Sequence, residues 1–196
     1  MSIGLYFGSF NPIHVGHLII ANHLQSNGYV KEVWFVISPQ NPFKTQTLLN
    51  QNHRLHLVRV ALEGEIFLKA SNIEFNLPKP SYTINTLAYL KEKYPGKEFT
   101  IILGSDGFQN ISKWKNASTI LENYQLLVYK RPGFDINETF GAKITVAEAP
   151  LLEISSTHIR NMIRQRKSIR YLVPDSVKTE IEKNNFYGPA SENPAE

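Results

Sequence analysis

Two histidines three residues apart stand directly after the first apolar run of the chain. His14 and His17 flank Gly16 near the predicted start of a helix over residues 15–24. This spacing can aim both imidazoles at one side, and a helix start adds unpaired N–H groups and the positive end of the dipole. The pattern predicts an anion site with two histidine donors. Two residues that merely begin a helix are the simpler alternative, and no third metal ligand is evident.

A run of hydroxyl side chains followed by an arginine forms a second candidate phosphate site. Ser155, Ser156 and Thr157 stand at the predicted start of a helix over residues 156–164. An N-cap role explains one of these three residues without any ligand. Arg160 lies about one turn further along and can add a fixed positive charge. Hydroxyl and N–H groups at a helix start, beside a guanidinium, are typical of phosphate binding.

Composition narrows the function classes. The 196 residues include no Cys, so disulfides and thiolate metal sites are excluded. A net charge of +4 suits anionic ligands such as nucleotides but does not predict nucleic-acid binding. No apolar run reaches the ~20 residues of a membrane helix, and the first residues lack the basic region of a signal peptide. We expect a cytoplasmic protein without nucleic-acid or membrane partners.

Apolar runs alternate with segments of helical periodicity along the chain. This alternation predicts an α/β fold: a Rossmann-like, doubly wound, mostly parallel sheet with helices on both faces. Ligands of such sheets bind beyond the carboxyl ends of the strands, where the strand order reverses. We expect one domain over residues 1–188 and a tail over 189–196. Strands are predicted at residues 3–7, 32–37, within 67–75, 99–103, 125–129 and 144–146, and helices at 15–24, 51–62, 82–93, 156–164 and 175–183.

Both candidate phosphate sites resemble known motifs. The string GSFNPIHVGH, residues 8–17, resembles the first signature of the HxGH nucleotidyltransferase superfamily, and ISSTHIR, residues 154–160, resembles its ISSTxIR motif. The chain has neither GxGxxG nor the P-loop pattern, so a dinucleotide-binding Rossmann motif and a P-loop both lack sequence support. The resemblance implies ATP binding, with the second motif on the β- and γ-phosphates. The implied ATP-binding residues are Gly8, Ser9, Phe10, His14, Gly16, His17, Ser155, Ser156, Thr157 and Arg160.

The middle of the chain resembles the nicotinate mononucleotide adenylyltransferases of that superfamily. The strings that carry this likeness are SPQNPFK at 38–44, SYTINTL at 81–87, LGSD at 103–106, KW at 113–114 and KRPG at 130–133. The resemblance covers about residues 3–188. It implies that the pyridine ring stacks on an indole. The implied substrate-binding residues are Thr83, Gly104, Asp106, Trp114 and Arg131.

Structural roles stay open for three of these residues. Trp114 is either a pyridine platform or an ordinary core or surface aromatic residue. Asp106 can bind ribose hydroxyls or the ATP-bound metal, or it can only cap the next helix. Thr83 can offer its hydroxyl or backbone to the pyridine carboxylate, or it can serve as a simple N-cap.

The resemblance implies that the substrate's 5′-phosphate oxygen attacks the α-phosphorus of ATP, and that pyrophosphate leaves. The nucleophile is already an anion, so catalysis consists of positioning and charge stabilisation. The implied catalytic residues are His14, His17, Lys44 and Arg160. Mg²⁺ is expected to arrive with ATP, and no dedicated protein metal site is predicted.

Three alternatives remain at this stage. A nicotinamide mononucleotide or phosphopantetheine adenylyltransferase would share the two end motifs. Ser9, Asn11 and Phe43 depart from the common family strings and bear on the choice between nicotinate and nicotinamide. A non-catalytic nucleotide-binding module is disfavoured because His14, His17 and Arg160 are all present. Assembly into a homo-oligomer is left open.

Overall fold

The computed structural model describes residues 2–40, 48–150 and 152–188. Within these ranges the strands are β1 (Ile3–Gly8), β2 (Glu32–Ile37), β3 (Leu68–Ser71), β4 (Phe99–Gly104), β5 (Gln125–Tyr129) and β6 (Ile144–Ala147). The α-helices are α1 (Val15–Ser26), α2 (Gln51–Ala61), α3 (Thr83–Lys93), α4 (Ser105–Phe108), α5 (Ala117–Asn123), α6 (Ser156–Arg164) and α7 (Asp175–Lys183). Short 3₁₀ helices cover Ile73–Asn76 and Ile111–Lys113.

The strands form one parallel sheet in the order β3-β2-β1-β4-β5-β6. The first three strands run outward from β1, and the chain then returns to place β4 on the other side of β1. The strand order therefore reverses between β1 and β4, where a crevice opens beyond their carboxyl ends. The predicted Rossmann-like, doubly wound fold is confirmed.

Alternation along each strand divides the core into two halves. Tyr6 and Ile102 belong to one buried cluster, whereas their neighbours Leu5 and Ile101 belong to the other. Successive strand side chains point to opposite faces, so each face of the sheet carries its own apolar layer. Helices α1, α2, α6 and α7 contribute buried residues to the first layer, and α3, α4 and α5 contribute to the second.

The structure narrows the strand predicted within residues 67–75. Leu68–Ser71 forms the strand, and a 3₁₀ helix follows over Ile73–Asn76. Within this 3₁₀ helix Glu74 is buried, and its carboxylate accepts a hydrogen bond from the Thr86 hydroxyl at 2.7 Å. Sequence periodicity had no signal for α4 and α5, which are only 4 and 7 residues long.

No helix within the described ranges is long and apolar enough to cross a membrane. Residues 189–196 lie outside the described part of the chain, so the predicted domain boundary at residue 188 stays a prediction.

Candidate active site

Two adjoining cavities lie at the carboxyl ends of the central strands. The first, of about 360 Å³, is lined by residues of both motifs, among them His14, Gly16, Ser155, Thr157 and Arg160. The second, of about 340 Å³, is lined by Gly8, Phe10, Thr83, Gly104, Asp106 and Trp114. The residues that line both cavities are Tyr6, Ser9, His17, Tyr129, Arg131 and Ser156.

The loop after β1 is shaped by one glycine and one residue in a left-handed conformation. Phe10 has φ 44° and is 2% exposed, with its ring turned back over the end of the strand. A Cβ on Gly8 would lie 2.7 Å from that ring, so residue 8 must be glycine. The Phe10 ring also packs edge-on against His17, with centroids 5.1 Å apart. Phe10 therefore supports the histidine and lines the second cavity rather than the first.

His14 and His17 face the same side, as the spacing predicted. Their rings are stacked, with centroids 3.6 Å apart and an interplanar angle of 25°. The backbone N–H of His14 donates to Nδ1 of His17 at 3.3 Å. An acceptor nitrogen carries no proton, so the neutral His17 ring holds its proton on Nε2 and is a hydrogen-bond donor there. Gly16 lies close to this pair, and a Cβ there would be only 3.1 Å from Nδ1 of His14, which is a tight contact.

His14 is neutral in the folded protein near pH 7. Burial, assisted by the positive charge of Arg131, lowers the pKa of His14 to about 4. Its Nδ1 atom is buried and has no hydrogen-bond partner among the described residues. A neutral His14 packs against His17 without charge repulsion, which keeps the stacked pair stable.

This lowered pKa predicts a specific dependence of stability on pH. Between pH 6.5 and 4 the unfolded chain binds a proton at His14 that the folded chain does not bind. The free energy of unfolding should therefore fall as the pH drops through that window, by about 3 kcal/mol at most from this group. Urea unfolding of the wild type and His14→Asn at pH values across the window measures the difference. If the free energy of unfolding changes equally with pH in the two proteins, the prediction is contradicted. His23→Asn, in helix α1, is the control variant.

The second motif is bound directly to the first. Ser155 caps α6 by accepting a hydrogen bond from the His158 N–H at 3.2 Å. The Ser156 hydroxyl donates to the Pro12 carbonyl at 2.8 Å. These bonds place the start of α6 against the loop after β1, so both predicted phosphate sites face one cavity.

Arg160 also connects α6 with the loop after β1. It is 7% exposed, and its Nη1 donates to the Asn11 carbonyl at 2.8 Å while Nη2 donates to the Thr157 hydroxyl at 3.2 Å. Burial lowers the pKa of the guanidinium from its ordinary value. Because an arginine stays protonated at neutral pH despite such shifts, the cavity has a fixed positive charge on its wall.

Arg54 is a positioning residue that sequence reasoning missed. Its side chain is fully buried and donates to four carbonyl groups in the loops after β1 and β2. Nη1 bonds to Ser9 at 2.5 Å and to Ser38 at 2.9 Å, and the other nitrogens bond to Leu49 at 2.8 Å and Pro39 at 3.1 Å. Arg54 thereby fixes the loops after β1 and β2 together. Arg54 stands four residues before Val58, on the apolar stripe of the predicted helix, and this position could have indicated a buried arginine.

The second cavity is bordered by an ion pair between neighbouring strands. Arg131 follows β5 and its Nη1 lies 3.1 Å from Oδ2 of Asp106, which follows β4. The Arg131 N–H also donates to the Ser105 hydroxyl at 2.9 Å. A Cβ on Gly104 would collide with Asp106 and with Cδ of Arg131, so only glycine fits at residue 104. Asp106 lies in the first turn of α4 and pairs with Arg131.

Trp114 and Thr83 line the same cavity as this ion pair. Trp114 follows the 3₁₀ helix Ile111–Lys113 and is half-buried on the cavity wall. Thr83 is the first residue of α3, and the N-cap is Tyr82, whose side chain makes no capping hydrogen bond. The N-cap alternative for Thr83 is therefore wrong, and the helix start faces the cavity without a side-chain cap.

Two other buried groups at the site were also missed. The hydroxyls of Tyr6 and Tyr129 are 3.1 Å apart beneath the border between the cavities. Glu74 is 1% exposed on the wall of the second cavity, and burial raises the pKa of its carboxyl. Neither tyrosine nor Glu74 belongs to a sequence motif, so they are identified as residues of the site by their burial beside the cavities.

Lys44, a predicted catalytic residue, lies outside the described residues. Within the described ranges, no group of three or more His, Cys, Asp or Glu side chains could hold a metal ion. Asp106 and Glu74 are the carboxylates among the described lining residues, and each is engaged, with Arg131 and Thr86 respectively.

Comparison with known proteins gives consistent results. The sequence profile of the cytidylyltransferase-like family matches residues 5–162. A probable nicotinate-nucleotide adenylyltransferase of Flavobacterium psychrophilum is 50% identical over 95% of the chain and 99% of its own length. A relative of the same description from Cytophaga hutchinsonii is 49% identical over 95% of the chain and 98% of its own length.

Solved structures show the same fold at lower identity. A nicotinic acid mononucleotide adenylyltransferase of Plasmodium falciparum, solved in complex with NaAD, has a TM-score of 0.83 and 22% identity. The match covers 95% of this chain and 97% of that one. At this identity the likeness concerns the fold, while the curated relatives define the family.

Proposed function

The chain belongs to the cytidylyltransferase-like family, among its nicotinate-nucleotide adenylyltransferases, and we propose that it transfers the adenylyl group of ATP to nicotinate mononucleotide. The products are deamido-NAD and pyrophosphate. The observation that carries this reaction is the position of His17, which lines both cavities at their border. A group transferred from a nucleotide in one cavity to a phosphate in the other must pass that border.

The first cavity fits ATP. It combines the start of α1, the start of α6 and the buried guanidinium of Arg160. Helix starts and fixed cations both favour polyphosphate. The ATP-binding roles proposed for Ser9, Gly16, Ser155, Ser156 and Thr157 agree with this placement. Gly8 and Phe10 line only the second cavity, so their roles toward ATP stay predictions from the motif.

The second cavity fits a pyridine mononucleotide. Trp114 offers a flat aromatic surface, and Asp106 and Arg131 offer polar groups for the ribose and phosphate. Thr83 begins an uncapped helix whose N–H groups suit a carboxylate. The pyridine ring would stack on Trp114 with its acidic group toward α3.

The transferred phosphorus needs charge stabilisation rather than a general base. The attacking 5′-phosphate oxygen forms the new P–O bond, and the bond from the α-phosphorus to the bridging oxygen breaks. His17 would donate to the α-phosphate oxygens, while His14 holds the His17 ring in place. Lys44 and Arg160 would balance the triphosphate charge. Mg²⁺ would enter with the phosphates of ATP and neutralise part of their charge, because the described residues offer no cage for it.

Arg160→Ala should lower kcat/KM for ATP by about 10- to 150-fold. The variant loses a charge-assisted contact, which is worth about 1.5–3 kcal/mol, and releases the Asn11 carbonyl. Steady-state kinetics at varied ATP measure the effect, and Arg160→Lys should be intermediate. Arg164→Ala, one turn along the same helix and exposed, is the matched control. An unchanged KM and kcat in Arg160→Ala would remove Arg160 from the triphosphate site.

Comparing the two pyridine mononucleotides tests the substrate assignment. We expect the wild type to prefer the nicotinate form by about tenfold to a hundredfold in kcat/KM. Trp114→Ala should raise KM for the mononucleotide, and Trp114→Phe should retain most of the affinity because it keeps an aromatic face. Equal kcat/KM for the two forms would contradict the acid preference, and an unaffected Trp114→Ala would contradict stacking. The cytoplasmic location stays a prediction, consistent with substrates that are intracellular metabolites.

A further inference from the structure

One cation of the second cavity forms no ion pair among the described residues. Among its described lining residues, Asp106 and Arg131 neutralise each other, with Nη1 and Oδ2 3.1 Å apart. Lys115 lines the same cavity, is exposed, and has no carboxylate within 4.0 Å among the described residues. The cavity therefore has a cation that no described carboxylate contacts.

Lys115 is held in a defined place. Its ammonium lies 4.6 Å from the centroid of the Tyr82 ring, a distance typical of a cation–π contact. Its backbone stands between the 3₁₀ helix Ile111–Lys113 and Asn116, the N-cap of α5. Because its backbone and its ammonium are both anchored, the charge stays close to the cavity.

The surroundings of Lys115 suit an anion. Tyr82 is the N-cap of α3 and makes no capping hydrogen bond through its side chain. The neighbouring Ser81 is 9% exposed, and its hydroxyl lines the cavity. A helix start without a side-chain cap and an ammonium thus meet on one wall.

A buried carboxyl group lies on the same wall. Glu74 lines the cavity, and burial raises the pKa of its carboxyl, although the hydroxyls of Thr86, Ser38 and Ser81 act in the other direction. Among the described residues Glu74 has no cation within 4.0 Å, so it does not pair with Lys115.

We infer that Lys115 is a specificity-determining residue, whose ammonium pairs with the acidic group on the pyridine ring and disfavours the neutral amide. The inference rests on the proposed function, since it concerns which pyridine mononucleotide enters the second cavity. Trp114, the residue before Lys115, lines the same cavity and is proposed to hold the ring. A ring on that indole would have its substituent within reach of the neighbouring lysine and the start of α3.

The test compares Lys115→Gln with the wild type on both mononucleotides. Loss of an ion pair at a solvent-exposed cavity mouth is expected to lower kcat/KM for the nicotinate form by about five- to twentyfold, chiefly through KM. The nicotinamide form should change less than about twofold, since it carries no charge on the ring substituent. Lys115→Arg should keep the preference. Lys113→Gln is the matched control, because Lys113 is exposed and bonded to Asn110 outside the cavity.

Ionic strength gives a second readout. The wild-type preference for the acid should shrink as salt rises, whereas Lys115→Gln should be less sensitive to salt. Calorimetric binding of each mononucleotide to the wild type and to Lys115→Gln separates binding from turnover. An unchanged acid-to-amide ratio in Lys115→Gln, beside an acid-preferring wild type, would overturn the role of Lys115 alone. If the wild type neither binds nor turns over either mononucleotide, the proposed function would be overturned, and this inference with it.

Discussion

Replacing His17 with alanine should lower kcat by about 10²–10³-fold, the usual loss when one preorganised donor to a transition state is removed. His17 lines the border of both cavities, and the His14 N–H and the Phe10 ring fix its orientation. The hydrogen bond to Nδ1 makes Nε2 the donor, so the ring needs no rearrangement as charge develops on the phosphate. KM for ATP should change less than kcat, because Arg160 and the helix starts remain.

A matched control exists on the same helix. His23 lies two turns further along α1, bonded to Asn27 and outside both cavities. His23→Ala should therefore keep wild-type kcat. Circular dichroism and urea unfolding of His17→Ala should show an intact fold, since His17 is only half-buried. A folded His17→Ala protein with near wild-type kcat would contradict the assignment of His17 as the main donor.

Replacing Arg54 with alanine should reduce the free energy of unfolding by about 3–5 kcal/mol, in the range found when one partner of a buried charged network is removed. Four carbonyl groups, those of Ser9, Ser38, Pro39 and Leu49, would lose their donor. Unpaired buried acceptors are costly because they lose water without gaining a partner. The loops after β1 and β2 would also loosen, so ATP affinity should fall.

Variants of α2 separate this effect from a general loss of helix stability. Arg59→Ala removes an exposed arginine from the same helix and should change the free energy of unfolding by less than about 0.5 kcal/mol. Arg54→Lys keeps the charge but not the branched donor geometry, so it should be intermediate. Chemical unfolding of the three variants measures the series. An Arg54→Ala protein within about 1 kcal/mol of the wild type would contradict the proposed network.

Much of the fold and the local site could be predicted from the sequence. The alternation of apolar runs and helical periodicity placed all six strands, and it gave the bounds of β2, β5, α6 and α7 correctly. The orientation of His14 and His17 toward one side and an N-cap among Ser155, Ser156 and Thr157 were predicted from spacing, whereas the ring stacking and the choice of Ser155 came from the structure. These features depend on residues within one or two turns of each other, so the helix period determines them.

Other features needed the folded chain. Arg160 donates to the Asn11 carbonyl, and Ser156 donates to the Pro12 carbonyl, across about three quarters of the sequence. The pairing of Gly104 with Tyr129 in the sheet brings the ends of β4 and β5 side by side, which allows the Asp106–Arg131 ion pair. No local pattern specifies such partners, because they depend on the strand order.

The sequence by itself determined the family, the fold class and the two candidate phosphate-binding motifs, because short strings and local periodicity specify each of them. Only the tertiary structure decided which polar groups are buried and where the cavities meet. Arg54 and Glu74 look like ordinary charged residues in the sequence, and the fold encloses both. The parallel sheet reverses its order beside β1, and that reversal places His17 between the two cavities. The physical reason is that burial and cavity shape depend on contacts between segments far apart in the sequence. Local sequence patterns do not specify those contacts.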